Sequence, residues 1–202
     1  MDKVLILPAF YLPSIEYFSV LKTASDPILV EKHEHFPKQT YRNRAEIHSA
    51  NGKLDLIVPV VKGSKVHTAM KDVKISYEFD WQRLHWLSLQ TSYRSSAYFE
   101  FYEDELAPFY HQKWDYLLDF NVEMLSVLLK LLKLNSTYSF TESYHAPSLI
   151  ETDYRTSIHP KRESAYRTKP YFQVFEDRNG FIPNLSCIDL LCSQGPQSAA
   201  YL

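Results

Sequence analysis

The chain has 202 residues, with 15 Tyr, 12 Phe and 3 Trp but only 4 Gly. Its 22 Lys and Arg against 24 Asp and Glu leave a formal charge of −2, which sets aside general nucleic-acid binding, where basic side chains must neutralise many phosphates. The glycines, Gly52, Gly63, Gly180 and Gly195, stand too far apart for a dinucleotide fingerprint, a P-loop or a kinase-type glycine loop, so any phosphate must be held by side chains.

In chain order, the apolar run Val4 to Leu7 reads as a strand that stops at Pro8, and the spacing of Ile15, Tyr17, Phe18, Val20 and Leu21 suits a helix. Asp26 and Pro27 break that helix. Ile28 to His35 then reads as a strand with Glu31, His33 and His35 on one face. Phe36 to Tyr41 is a loop, and Arg44 to His48 and Leu54 to Val61 form a hairpin around Asn51-Gly52. Val73 to Tyr77 is a further short strand. Asp80 caps a helix from Trp81 to about Tyr93, a second helix fits Ala97 to His111, and the strongest periodicity spans Tyr116 to Leu134. Tyr138 to Tyr144 and Tyr171 to Glu176 read as extended, separated by a basic loop from Tyr154 to Pro170 that carries Arg155, Lys161, Arg162, Arg167 and Lys169.

This order suggests one domain over residues 1–202, α/β or α+β, with a single mixed sheet, a β-hairpin and a central set of three to four helices. The N-terminal apolar stretch carries Asp2, Pro8 and Pro13 and lacks a signal-peptide pattern, and Asp119, Asn121, Glu123, Lys130 and Lys133 interrupt the most apolar helix. A transmembrane segment is therefore not expected. Cys187 and Cys192, five apart, match neither a disulfide framework nor a zinc ribbon and point to a reducing cytoplasm.

The densest polar run is Lys38-Gln39-Thr40-Tyr41-Arg42-Asn43-Arg44. Guanidinium forks and a lysine charge suit a phosphate or carboxylate, and Asn43 can orient a ligand or close a turn; the plain alternative is a solvated loop. His33 or His35 is a candidate general base, because histidine titrates near neutral pH. A strand face holding only Glu31, His33 and His35 falls short of a metal site, so none is expected. His85, between Leu84 and Trp86, is either a satisfied core histidine or a catalytic one. No cofactor is legible, and Gly-x-Ser-x-Gly, His-Glu-x-x-His and Cys-x-x-Cys patterns are missing.

Several fragments line up with one family. Tyr11-Leu12-Pro13 with Tyr17, then Asp26 followed by Lys38, Tyr41 and Asn43-Arg44, a hairpin with Leu56, Pro59 and Lys62, the His85 helix, Tyr93 with Tyr98-Phe99, and Asn121 in a leucine-rich helix together resemble the WbqC-like proteins. The closing stretch, from Tyr171-Phe172-Gln173 to Asp189-Leu190-Leu191, is similar to a Bacteroidetes-type branch of that family. Departures occur at Leu7, where many relatives carry Gln, at Glu16, where they carry Gly, and at Lys32 and His33, where acids are common. The resemblance implies a cytoplasmic role in bacterial surface-polysaccharide biosynthesis, either transferring a small group to an activated, anionic sugar or presenting such a precursor without chemistry. On that reading Lys38, Tyr41, Arg42, Asn43, Arg44, Tyr11 and Tyr93 hold the substrate, and His85, His33 and Lys62 do the chemistry.

Overall fold

The computed structural model describes residues 4–61, 67–146 and 152–202. Strand β1 (Leu5–Pro8) is buried along its whole length, as a strand covered on both faces must be, and Pro8 ends it by supplying no N–H. Helix α1 (Ile15–Thr23) turns Ile15, Tyr17, Phe18 and Leu21 inward, and the Tyr17 hydroxyl donates to the Pro8 carbonyl at 2.9 Å. The chain then returns as β2 (Ile28–Glu31), parallel to β1, with Leu5 opposite Ile28 and Pro8 opposite Glu31. Two short strands complete a four-stranded parallel sheet: β5 (Tyr138–Phe140) joins the outer edge of β2, and β6 (Thr152–Asp153) pairs with the other side of β1. The resulting order is β5-β2-β1-β6. The chain steps outward from β1 through β2 to β5 and then crosses back to β6, which places a topological switch between β1 and β6.

The hairpin forms a separate two-stranded sheet of β3 (Arg44–Ser49) and β4 (Gly52–Ile57), closed by Gly52 at φ +95°, where its lack of a Cβ is needed. The expected mixed α/β content is thus present, but the strands divide between a parallel sheet and a hairpin instead of forming one sheet. Val73 to Tyr77 makes only isolated bridges, Val60 with Ile75 and Lys74 with Tyr116. Helix α2 runs Trp81–Tyr93, with the Asp80 side chain accepting from the Arg83 N–H. The expected second helix is cut at Pro108 into α3 (Phe99–Leu106) and α4 (Pro108–His111), because proline has no N–H to continue the ladder. Helix α5 (Leu117–Leu131) turns Leu117, Phe120, Met124, Leu125 and Leu128 into the core. The expected extended run Tyr171 to Glu176 is irregular up to Phe175 and enters α6 (Glu176–Asn179) at its last residue, and α7 (Cys187–Gln194) starts at a Ser186 cap. Among the described residues no helix is long and apolar enough to cross a membrane.

Candidate functional site at the carboxyl edge of the parallel sheet

In open parallel sheets, ligand sites form outside the carboxyl ends of the strands at the switch point. Here that edge is filled by charge. Strand β2 stops at Glu31, four residues short of the expected end at His35, because Glu31 is drawn inward: it is fully buried. Its carboxylate accepts from the His33 N–H at 2.7 Å, the Thr141 hydroxyl at 2.9 Å, the His145 N–H at 3.2 Å and an Arg155 Nη1 at 3.4 Å. The expected strand face is thus not shared: Glu31 ends β2, His33 lies in the loop that follows, and His35 makes only an isolated bridge with Ala69. His33 is half-buried, and its Nε2 has no hydrogen-bond partner among the described residues.

Arg155, just past β6, forks onto Asp153, with Nη2 to Oδ2 at 2.6 Å and Nε 3.0 Å from each oxygen. Burial pushes the Asp153 carboxyl up, but the bonds and charge of Arg155 outweigh it and hold the group below its ordinary value. Arg42 is buried and forks onto Glu34, with Nε to Oε1 at 2.6 Å and Nη2 to Oε2 at 2.7 Å. Its Nη2 also donates to the Arg155 carbonyl at 3.1 Å, and the guanidinium lies 5.6 Å from the centre of the Phe10 ring. Burial lifts the Glu34 carboxyl above its ordinary value, with the Arg42 charge and bonds opposing the lift. Three carboxylates thus meet two guanidiniums, and Arg42 bridges the segment after β1 to the segment after β6. Asn121 of α5, fully buried, clamps the same loops by donating to the Ala9 carbonyl at 3.0 Å and the Arg42 carbonyl at 2.7 Å.

The other nominated residues fall into three places. Lys38 is exposed at the tip of the loop, beside Gln39, whose φ of 61° is rare for a residue with a side chain. The Tyr41 hydroxyl donates to Glu46 at 3.0 Å, and burial followed by the Glu46 charge pushes its phenol up. Asn43 closes a turn through its backbone N–H, which donates to the Thr40 carbonyl at 3.3 Å; its side-chain amide donates to the Val58 carbonyl at 2.9 Å, and its Oδ1 has no partner among the described residues. Arg44, at the start of β3, approaches Asp55 at 3.8 Å, and its Nε has no partner among the described residues. The second place is the core beneath. The Tyr11 hydroxyl lies 3.0 Å from His85 Nδ1 and 3.0 Å from the Tyr110 hydroxyl, and Tyr11 stacks on Phe120. Burial pushes His85 down to about 4, against a bond to the Ile57 carbonyl, so near neutral pH the ring is uncharged. Its surroundings, Trp81 included, leave it only 6% exposed, so His85 is a satisfied core histidine and does not join the Lys38 loop in an open pocket.

The third place is the far side of the hairpin, where Tyr93 is buried, accepts from the His48 N–H at 3.2 Å and faces Asp189. Lys62 lies outside the described residues. Cys187 and Cys192 are buried free thiols pushed up by that burial, a poor setting for a nucleophile. No group of three or more potential metal ligands occurs among the described residues.

The fold and this edge define an α/β protein with a buried cluster of charged side chains at the switch point of a short parallel sheet. Residues 9–158 match the WbqC-like protein family, and the chain belongs to that family. The uncharacterized protein Rv1507c of Mycobacterium tuberculosis (strain ATCC 25618 / H37Rv) is 30% identical over 110 residues, which cover 54% of this chain and 47% of that protein. The chain therefore spans about half the length of that relative. No solved structure matches the chain. The matched stretch holds every residue nominated from the sequence, and it also takes in Glu31, Glu34, Asp153 and Arg155, which sequence reasoning did not nominate. Glu31 and Glu34 around His33, and Arg155 two positions after Asp153 at the start of the basic loop, were the available signals.

Proposed function

We propose that this chain, a member of the Bacteroidetes-type branch of its family, is a transferase-type protein of bacterial surface-polysaccharide biosynthesis. It acts in the cytoplasm on an activated sugar, modifying it or transferring a small acyl or aminoacyl group to it. One observation carries the reading: the basic loop around Arg42 is locked across the carboxyl ends of β1 and β6, the place where open parallel sheets receive phosphorylated ligands. The residues divide their work by environment. Arg42 is committed to Glu34 and positions the loop, whereas Arg44 and Lys38, at its ends, keep donors for a substrate phosphate or carboxylate. His33 moves the proton, because its half-buried ring lies at this edge, with a buried Nε2 that has no partner among the described residues, whereas His85 as a whole is 6% exposed in the core.

The test is product analysis. The purified chain is incubated with nucleotide-linked sugars and with acyl donors, and products are read by mass spectrometry; a new conjugate that disappears in His33→Ala supports the reading, and no product from any pairing refutes it. The isolation of His85 favours a second reading, a module that holds a glycan precursor without chemistry. That reading predicts saturable thermal stabilisation by a nucleotide sugar, weakened in Arg44→Ala, with the ligand recovered unchanged.

A further inference from the structure

Just beyond the family-matched residues, the chain makes a tight turn, His159-Pro160-Lys161-Arg162, closed by the Arg162 N–H donating to the His159 carbonyl at 3.0 Å. Proline at the second position fixes the turn, and the Lys161 N–H donates to His159 Nδ1 at 3.0 Å, so three basic side chains share one short rigid segment. The turn is anchored on its N-terminal side, by Ile158 in the core and by the buried Arg155. It is also clasped to the other basic loop, because the Lys161 ammonium donates to the side chain of Gln39, the residue held at positive φ. Lys161 is thereby held against the neighbour of Lys38, and the charges of Arg44, Lys161 and Arg162 all act on His159.

Among the described residues, Asp55 beside Arg44 is the one carboxylate paired with this concentration of charge. Burial lowers the basicity of His159, and Arg162, Lys161, Arg42 and Arg44 lower it further. Lys38, Lys161 and Arg162 make no ion pair among the described residues, and Arg44 has only a 3.8 Å approach to Asp55 and a bare Nε. Like charges are held together only at a cost, which a bound anion removes. Cations on two facing turns suit a group with more than one phosphoryl unit better than a lone phosphate.

We infer that the His159–Arg162 turn and the Lys38–Arg44 loop form one binding site for a diphosphate group. Neutral His159 adds a donor there, because its Nδ1 accepts the backbone N–H and its proton therefore resides on Nε2. The inference rests on the activated-sugar reading for the identity of the complete ligand, since a nucleotide- or lipid-linked sugar carries such a diphosphate.

Calorimetric titration of the full chain with inorganic pyrophosphate at low salt tests the site. Lys161→Ala/Arg162→Ala is compared with Lys113→Ala/Lys130→Ala, which removes equal charge elsewhere, and with the charge-keeping Lys161→Arg/Arg162→Lys. The expected result is saturable binding weakened at least tenfold in the first pair, less than twofold in the second, and retained in the third, with melting temperatures unchanged. Absence of saturable binding, or equal weakening in both alanine pairs, overturns the site. Product formation that survives Lys161→Ala/Arg162→Ala would remove this site and leave the transferase reading intact; pyrophosphate binding lost in that pair, with no turnover of any activated sugar, would do the reverse.

Discussion

Arg42→Ala separates a structural ion pair from a substrate-holding one. The guanidinium is 1% exposed, donates two bonds of 2.6 and 2.7 Å to Glu34 and a third to the Arg155 carbonyl. Its removal leaves Glu34, itself 7% exposed, as an uncompensated buried charge, a change that costs about 3–5 kcal/mol in comparable pairs. Against a total stability of about 5–15 kcal/mol for a folded domain, the variant should remain folded but lose a large share of its margin. Urea unfolding followed by tryptophan fluorescence measures the loss, and a cycle with Glu34→Gln isolates the pair. The Glu34→Gln background should recover most of the loss, since a neutral amide tolerates the missing partner better. The pH dependence has a defined sign. Burial raises Glu34 above its ordinary 4.5 and Arg42 opposes the rise, so in Arg42→Ala the folded carboxyl titrates higher still. A raised folded value favours folding below the unfolded value and loses that advantage as pH climbs through the folded one. The gap between wild type and variant should therefore be smallest near pH 4.5 and widen toward neutral pH. A loss below about 1 kcal/mol, the level of an exposed pair, together with abolished nucleotide-sugar binding, would refute this account and return Arg42 to the substrate.

Three further outcomes follow from burial and backbone geometry. His85 is pushed down from 6.5 to about 4 by burial, so the folded state refuses a proton that the unfolded chain accepts; wild-type stability should fall as pH drops from about 6.5 toward 4, by up to about 3 kcal/mol, and His85→Gln should flatten that slope in melts at pH 7 and pH 4.5. Gly195 sits at φ +53° with the Tyr98 ring where a Cβ would go, while Gly52 at φ +95° has open space; Gly195→Ala should cost about 1–3 kcal/mol more than Gly52→Ala, because only the first adds a clash to the strain. Cys187 and Cys192 are fully buried with thiols pushed well up by burial, so native protein should react with Ellman's reagent only after denaturant is added.

What was legible in the sequence followed from local physics. Helix α2 was bounded correctly because Asp80 supplies a cap and Trp81, His85, Trp86 and Leu89 share one face, both readable within a dozen residues. The hairpin was fixed by Asn51-Gly52, since Gly52 takes the backbone angle its turn requires. The misreadings share a different cause. Glu31, His33 and His35 alternate like an edge strand, but the strand ends at Glu31, whose buried carboxylate is met by Thr141, His145 and Arg155, more than a hundred positions away. A two-residue strand such as β6 carries no periodicity at all, and it is recognisable only because Leu5 and Ile6 are there to pair with it.

The same distinction decides how the basic run should be interpreted. Read alone, Lys38 to Arg44 offers three equivalent cations. The fold makes them unequal: Arg42 is neutralised by Glu34, a residue only eight positions back whose relevance depends on both segments meeting at the sheet edge. Arg44 gains company from Lys161 and Arg162, more than a hundred positions ahead, through the Gln39 clasp. A buried, forked and compensated cation keeps a loop in shape; an anion is drawn to the half-exposed and uncompensated ones. On the reading proposed above, anion recognition at this edge falls to the two cations flanking Arg42 and to a turn that the run itself does not contain, so substitution at Arg42 should register mainly in stability and substitution at Arg44 or Lys161 mainly in affinity.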